Sequence, residues 1–304
     1  MRNKHILDMA SLASSDIKQI LDTSVRMKEI SRRAIKKVPT LRGKTVVHFF
    51  YEPSTRTKSS FDIAAKRLSA DSLSFSKATS SVVKGESLLD TVHNIEAMQP
   101  DIIVIRHSSA GAPHLLAKHC QARVINAGDG MHAHPTQALL DLMTVREKKG
   151  RLSGLTLLIV GDIAHSRVAR SNIVGFQKMG AKVVLAGPPT MMPMEIETMG
   201  ATVAESLDAA IPEADVIMML RIQKERQRPF LMPNEREYAN VYGLNLNRLK
   251  MAKPDVLIMH PGPINRGVEI APEVADGPFS VILEQVTNGV AVRMALLYLV
   301  LGGK

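Results

Sequence analysis

Short apolar runs and amphipathic stretches alternate along this chain. Runs of strand character occupy residues 45–50, 101–106, 124–126, 155–160, 182–186, 215–220 and 256–259. Between most of them, apolar positions recur at helical spacing, as in 58–68, 88–98, 137–146 and 168–179. A 3.6-residue period gathers such positions on one helix face, where they can be buried against a sheet. Repeated β-α alternation predicts parallel sheets, because parallel strands need a crossover and the crossover helices cover both faces. In such sheets ligands bind beyond the carboxyl ends of the strands. The residues with chemical potential in this chain fall largely at those ends.

The punctuation divides the pattern in two. Asn126-Ala-Gly-Asp-Gly130 reads as a loop, a long helix over 135–149 follows, and Gly150-Arg-Leu-Ser-Gly154 ends it. A fresh strand then starts at residue 155. The fold class expected is α/β with two domains, each a mostly parallel sheet flanked by helices, which 304 residues can fill. The last helix, 289–301, is very apolar for a terminus and must dock onto another element.

Composition narrows the function. No run reaches the roughly 18 apolar residues of a membrane span, and the N-terminus has no apolar core of a secretory signal. Cys120 is the only cysteine, so an internal disulfide and a Cys-rich metal site are excluded, and a reducing cytoplasm fits best. The net charge of +10 admits either nucleic acid or an anionic small molecule as partner. The densest basic run, Arg32-Arg33-Ala-Ile-Lys36-Lys37, has no interleaved aromatics and closes a helical pattern. Cations there complement the helix dipole, and no nucleic-acid-binding signature is present, so an anionic substrate is the better reading.

Five clusters carry candidate chemistry. Ser54-Thr55-Arg56-Thr57 stands where the strand 45–50 gives way to a helix. A helix start offers unpaired N–H groups and partial positive charge, and the hydroxyls and guanidinium add donors suited to phosphate. The alternative is an ordinary helix cap made by Ser54 or Thr55. Ser80 and Lys84-Gly-Glu86 lie in a polar stretch. Arg106-His107 ends a strand. His134-Pro-Thr-Gln137 opens a helix, with Pro135 at its first position. His132 and His134 raise the thought of a metal pair, but no carboxylate or third histidine has suitable spacing, so no metal is expected. The last group is Arg167, Arg221, Gln223 and Arg226 in the second half. Several arginines suit a substrate with more than one carboxylate. Val160-Gly161-Asp162 lacks the glycine pattern of a dinucleotide fold, so no such cofactor is inferred. His260-Pro-Gly-Pro263 is a rigid turn after a strand.

Taken in order, these motifs resemble the catalytic chains of the aspartate carbamoyltransferases. The resemblance rests on Phe-Tyr-Glu-Pro-Ser-Thr-Arg-Thr (50–57), Lys84-Gly-Glu, Arg106-His107, Asn-Ala-Gly-Asp-Gly (126–130), His-Pro-Thr-Gln (134–137), Arg-Ile-Gln-Lys-Glu-Arg (221–226) and His-Pro-Gly-Pro (260–263). It covers nearly the whole sequence. It implies a carbamoyl phosphate domain, 1–135, completed by the terminal helix 287–304, and an aspartate domain, 136–286. It implies carbamoyl transfer to the α-amine of L-aspartate, an early step of pyrimidine biosynthesis, with no cofactor. By resemblance Ser54, Thr55, Arg56, Thr57 and Arg106 hold the phosphate. Thr57, Arg106 and His134 donate to the carbamoyl oxygen. Gln137 and the carbonyls around Pro261 and Gly262 accept from the carbamoyl NH2, and Arg167, Arg221 and Gln223 bind aspartate. Ser80 and Lys84 are lent by a neighbouring subunit, which makes the expected assembly a homotrimer with shared sites. Glu52 and Arg226 match positions that brace Arg167. The resemblance also admits a regulatory chain or a dihydroorotase as a further partner.

Departures from the family pattern are small. Lys58 stands where Arg is commoner and Asp62 where Glu is commoner. Arg266 lies three residues after Pro263 rather than directly behind it. The nearest rival, ornithine carbamoyltransferase, carries a His-Cys-Leu-Pro turn and a Trp-containing loop, whereas this chain has His-Pro-Gly-Pro and no Trp. Arg221 would also repel the cationic side chain of ornithine. A non-catalytic homologue is disfavoured because every matched position is filled.

Overall fold

All seven apolar runs form strands, and two further strands join them. The computed structural model describes residues 3–76, 87–222 and 234–303. The strands are β1 (Thr45–Phe50), β2 (Asp71–Ser76), β3 (Ile102–His107), β4 (Arg123–Asp129), β5 (Thr156–Val160), β6 (Lys182–Ala186), β7 (Thr202–Val203), β8 (Val216–Met219) and β9 (Leu257–Met259). The first six helices are α1 (Ser14–Arg32), α2 (Thr55–Arg67), α3 (Leu88–Glu96), α4 (Ala112–His119), α5 (Pro135–Lys149) and α6 (Arg167–Lys178). Five further α-helices follow among the described residues, the last being the terminal one, Ile282–Val300. Two sheets result, ordered β2-β1-β3-β4 and β7-β6-β5-β8-β9, with every pairing parallel. The chain forms two compact units, residues 1–143 with 287–304 and residues 144–286. The architecture is two parallel-sheet domains flanked by helices.

Local chemistry sets the helix limits. Ser87 caps α3 by accepting from the Asp90 N–H at 3.1 Å, and Ser166 caps α6 through the Ala169 N–H at 3.1 Å. Pro135 starts α5 at a position where no N–H is needed. Gly150 stops it with φ of 72°, and its N–H returns to the Arg146 carbonyl at 2.9 Å.

In the first unit, Val47, Phe49, Ile103, Ile105 and Val124 present one face of the sheet to Val92, Ile95 and Leu116. The other face buries His48 against Phe61 of α2, with ring centroids 6.2 Å apart. The terminal helix contacts this unit's helices. Its Arg293 lies over the Phe61 ring at 5.2 Å, and the Ser31 hydroxyl of α1 donates to the Met294 sulfur at 3.7 Å. Val292, Ala295, Leu296 and Leu297 are fully buried. Each large apolar side chain so placed contributes about 1.5–3 kcal/mol, so a charge at Leu296 would undock the helix. The apolar terminus expected to dock therefore has its partner. Among the described residues no helix is long and apolar enough to cross a membrane.

One sequence reading needs correction, and one strand was not anticipated. Asn126-Ala-Gly-Asp is not a loop but the second half of β4. Its polar groups are turned inward and satisfy one another. Asn126 Nδ2 donates to the Leu7 carbonyl and to Asp129 Oδ1, both at 2.8 Å, and Asn126 Oδ1 accepts from the Gly128 N–H at 2.7 Å. Residues 71–76 escaped notice because alternate serines make β2 look like a linker, yet it pairs with β1 along its whole length.

Candidate active site

The strand order of the first unit reverses between β1 and β3. The chain leaves β1 for β2 on one side and leaves β3 for β4 on the other. At such a switch point the following helices diverge and open a crevice at the carboxyl ends. Ser54 to Thr57 directly follow β1, and Arg106 ends β3. Phe50 and Arg106 are paired neighbours, and the Tyr51 N–H bonds the Arg106 carbonyl at 2.8 Å, so the two motifs meet.

Ser54 occupies the cap position of α2, but its side chain makes no capping hydrogen bond. The ordinary-cap reading therefore fails for Ser54. The first-turn N–H groups are therefore not taken up by the Ser54 side chain. Thr55 and Arg56 are exposed, while Thr57 is buried on the inner side of the first turn. Arg106 Nε lies 3.3 Å from Glu52 Oε2, and both side chains are largely buried. A paired guanidinium keeps its orientation and its charge.

His134 and Gln137 come from the start of α5. His134 is buried, and its carbonyl accepts the Gln137 N–H at 3.0 Å. Gln137 Nε2 donates to Asp141 Oδ1 at 2.9 Å, which turns Gln137 Oε1 into the available acceptor. Asp141 in turn faces the buried Arg293. Burial pulls the Arg293 pKa down to about 10 and Asp141 opposes the fall, so the guanidinium stays charged at neutral pH. Asp141 was not singled out from the sequence. Its i, i+4 relation to Gln137 on one helix was the available signal.

The second unit repeats the logic. Its sheet order reverses between β5 and β8. Arg167, buried, opens α6 after β5, and Arg221 follows β8. Pro261 and Gly262 follow β9, the neighbour of β8. Their turn is held from beneath by His260, whose Nδ1 accepts the Gly262 N–H at 2.8 Å. The other ring nitrogen therefore carries the proton and donates to Glu269 Oε1 at 3.2 Å. Glu269 Oε1 also accepts the Asn265 N–H at 2.6 Å, and Asn265 Nδ2 reaches the Ile222 carbonyl at 3.4 Å, next to Arg221. The nine-residue gap between His260 and Glu269 gave no sequence signal for this pair.

Ser80, Lys84, Gln223 and Arg226 lie outside the described residues. The expected role of Glu52 concerned Arg167. Within its own unit Glu52 meets Arg106. Arg266 makes a two-pronged pair with Asp276 at 2.6 and 2.8 Å on the surface. Asp62 accepts from Lys66 and from the Ser72 hydroxyl, each at 2.7 Å, so the shorter acid still finds partners. The expectation that His132 has no further metal-type neighbours is wrong. Asp129 and His114 both stand beside it, and His114 comes from a separate helix, α4.

The sequence matches two family models. Residues 4–147 match the aspartate/ornithine carbamoyltransferase carbamoyl-P binding domain, and 153–300 match the Asp/Orn binding domain of the same family. An aspartate carbamoyltransferase catalytic subunit of Desulfosudis oleivorans is 71% identical over 304 residues, covering 100% of this chain and 98% of that one. Among solved structures, Trypanosoma cruzi aspartate transcarbamoylase in complex with carbamoyl phosphate and aspartate superposes with a TM-score of 0.87. It has 29% identity and covers 97% of this chain and 95% of its own. An ornithine carbamoyltransferase from Pyrococcus furiosus has a TM-score of 0.86 and 31% identity, over 99% of this chain and 97% of its own. The shared fold thus does not choose between the two amines; the residues at the second switch point must. With both family models matched along nearly its whole length, this chain belongs to the aspartate/ornithine carbamoyltransferase family.

Proposed function

We propose that this chain transfers the carbamoyl group of carbamoyl phosphate to the α-amine of L-aspartate, giving N-carbamoyl-L-aspartate and phosphate. The observation that carries the proposal is the pair of switch points. One has an uncapped helix start with hydroxyls and guanidinium groups, and the other has arginines after both of its strands. The first suits a phosphate and the second a dicarboxylate. The Desulfosudis relative and the ligand-bound Trypanosoma structure support the same reading.

In this reading residues 1–135 with 287–304 bind carbamoyl phosphate, and 136–286 bind aspartate. Ser54, Thr55, Arg56, Thr57 and Arg106 hold the phosphate. The aspartate amine attacks the carbamoyl carbon, and negative charge grows on the carbonyl oxygen. Thr57, Arg106 and His134 donate to that oxygen, and donors fixed before the reaction cost no reorganisation during it. Gln137 Oε1, with the Pro261 and Gly262 carbonyls, accepts from the NH2 and orients the group. Phosphate then leaves against Arg56, Arg106 and Lys84. Arg167, Arg221 and Gln223 hold the two carboxylates of aspartate. No covalent intermediate or cofactor is required, because positioning two bound substrates supplies much of the rate. The reaction serves pyrimidine biosynthesis in the cytoplasm, by a homotrimer in which Ser80 and Lys84 come from the adjacent chain.

The test is a product assay with carbamoyl phosphate and either aspartate or ornithine. Carbamoylation of aspartate alone is expected. Preferential carbamoylation of ornithine would refute the assignment.

A further inference from the structure

We propose that His114, Asp129 and His132 form a binding site for one divalent transition-metal ion of the zinc class. One ligand atom from each residue lies within 4.8 Å of the others. The two imidazole rings are 5.6 Å apart between centroids, and His132 Nδ1 is 3.0 Å from Asp129 Oδ2. Zinc bonds nitrogen and carboxylate oxygen at about 2.0–2.2 Å in a tetrahedron, which sets neighbouring ligand atoms about 3.3 Å apart. Binding one ion would therefore draw the ligand atoms together by up to about 1.5 Å.

The geometry around His114 is the second, independent observation. Its Nε2 sits 2.8 Å from Asp8 Oδ2. The carboxylate thus holds the imidazole proton on Nε2. Nδ1 is left with a bare lone pair, shielded from solvent and with no hydrogen-bond partner. An unmet acceptor of this kind costs stability, and a cation is one remedy. A carboxylate on the far nitrogen is also the usual support of a metal-ligating histidine.

Asp129 is built in the same spirit. It is fully buried, and its oxygens accept from Asn126 Nδ2 at 2.8 Å and from the N–H groups of Ala133 at 3.1 Å and Gly111 at 2.7 Å. Those donors fix the carboxylate before any ion arrives. His132 is half exposed, which leaves a fourth position open to water. Two nitrogens and one carboxylate oxygen suit zinc, cobalt or nickel rather than calcium or magnesium. An ion here would tie α4 to the segment that leads, two residues on, into His134. None of the three ligands belongs to the set assigned to carbamoyl phosphate, so the role is a brace rather than a step in the reaction.

The experiment uses the full-length chain stripped with a chelator and titrated with cobalt(II). One cobalt per chain is expected, with the strong visible bands of a tetrahedral ion, and zinc should displace it. His114→Gln and His132→Gln should each abolish the bands while circular dichroism shows a native fold. Asp8→Asn should weaken binding about 10–100-fold through the lost support. Absence of saturable binding would overturn the proposal, leaving only hydrogen-bonded histidine–carboxylate pairs. Bands that survive either glutamine substitution would also overturn it, because the ion would then lie elsewhere.

Discussion

His48 gives a sharp test of how well the first unit is sealed. It lies in the middle of β1, wholly buried, and neither ring nitrogen has a hydrogen-bond partner. Burial pulls its pKa from 6.5 down to about 4; Asp62 opposes the fall, while Lys58 and Lys66 add to it. Below pH 6.5 the unfolded chain takes up a proton at this ring, whereas the folded chain refuses it until about pH 4. The group therefore costs nothing above pH 6.5. It destabilises the fold progressively as pH falls from 6.5 to 4, and its effect is constant below that. The full difference corresponds to about 3 kcal/mol, and about 2 kcal/mol is already lost at pH 5. His48→Met keeps a similar volume and removes the titration. Urea unfolding of both proteins at pH 7 and pH 5 is the assay. Wild type should lose about 2 kcal/mol more than the variant between the two pH values. An equal loss in both would show that the ring reaches solvent or a partner, and the reasoning would fail.

Other outcomes follow from the site. Arg56→Ala should collapse kcat, because the guanidinium neutralises a leaving group that gains charge in the transition state; steady-state kinetics with a normal kcat and only a raised KM for carbamoyl phosphate would contradict this. If the proposed homotrimer shares its sites head to tail, Arg56→Ala and Lys84→Ala should each be nearly inactive, yet hybrids reassembled from an equal mixture should recover roughly a quarter of wild-type activity. Hybrids that form without any recovery would place both residues in the same chain's site. Asp141→Ala should free the Gln137 amide to rotate and lower kcat about tenfold, with the loss read by the same kinetics; an unchanged kcat would show that Asp141 does not orient Gln137.

Much of this structure was legible because strand ends and helix starts carry strong local signals. The apolar run 45–50, the break at Pro53 and the hydroxyl-rich start of α2 all lie within a dozen residues, so the first motif could be placed by local chemistry. Tertiary context decided the rest. Asp71–Ser76 has only Leu73 and Phe75 to mark it, and becomes a strand through its ladder with β1. Asn126 and Asp129 look like turn residues until their mutual hydrogen bonds are seen inside β4. The support of His260 by Glu269 and the meeting of His114 with His132 join residues whose spacing carries no periodic signal.

The central claim is that the second unit's arginines select a dicarboxylate while the first unit's cradle takes the phosphate. Calorimetry with two bisubstrate mimics tests it most directly, one bearing a phosphonate and two carboxylates, the other lacking the side-chain carboxylate. The dicarboxylate should bind more tightly by about 2–4 kcal/mol, the cost of leaving a desolvated arginine without its anion. Arg221→Ala should erase that preference while both mimics keep their phosphonate-dependent affinity. Equal affinity of the wild-type chain for the two mimics would contradict the account.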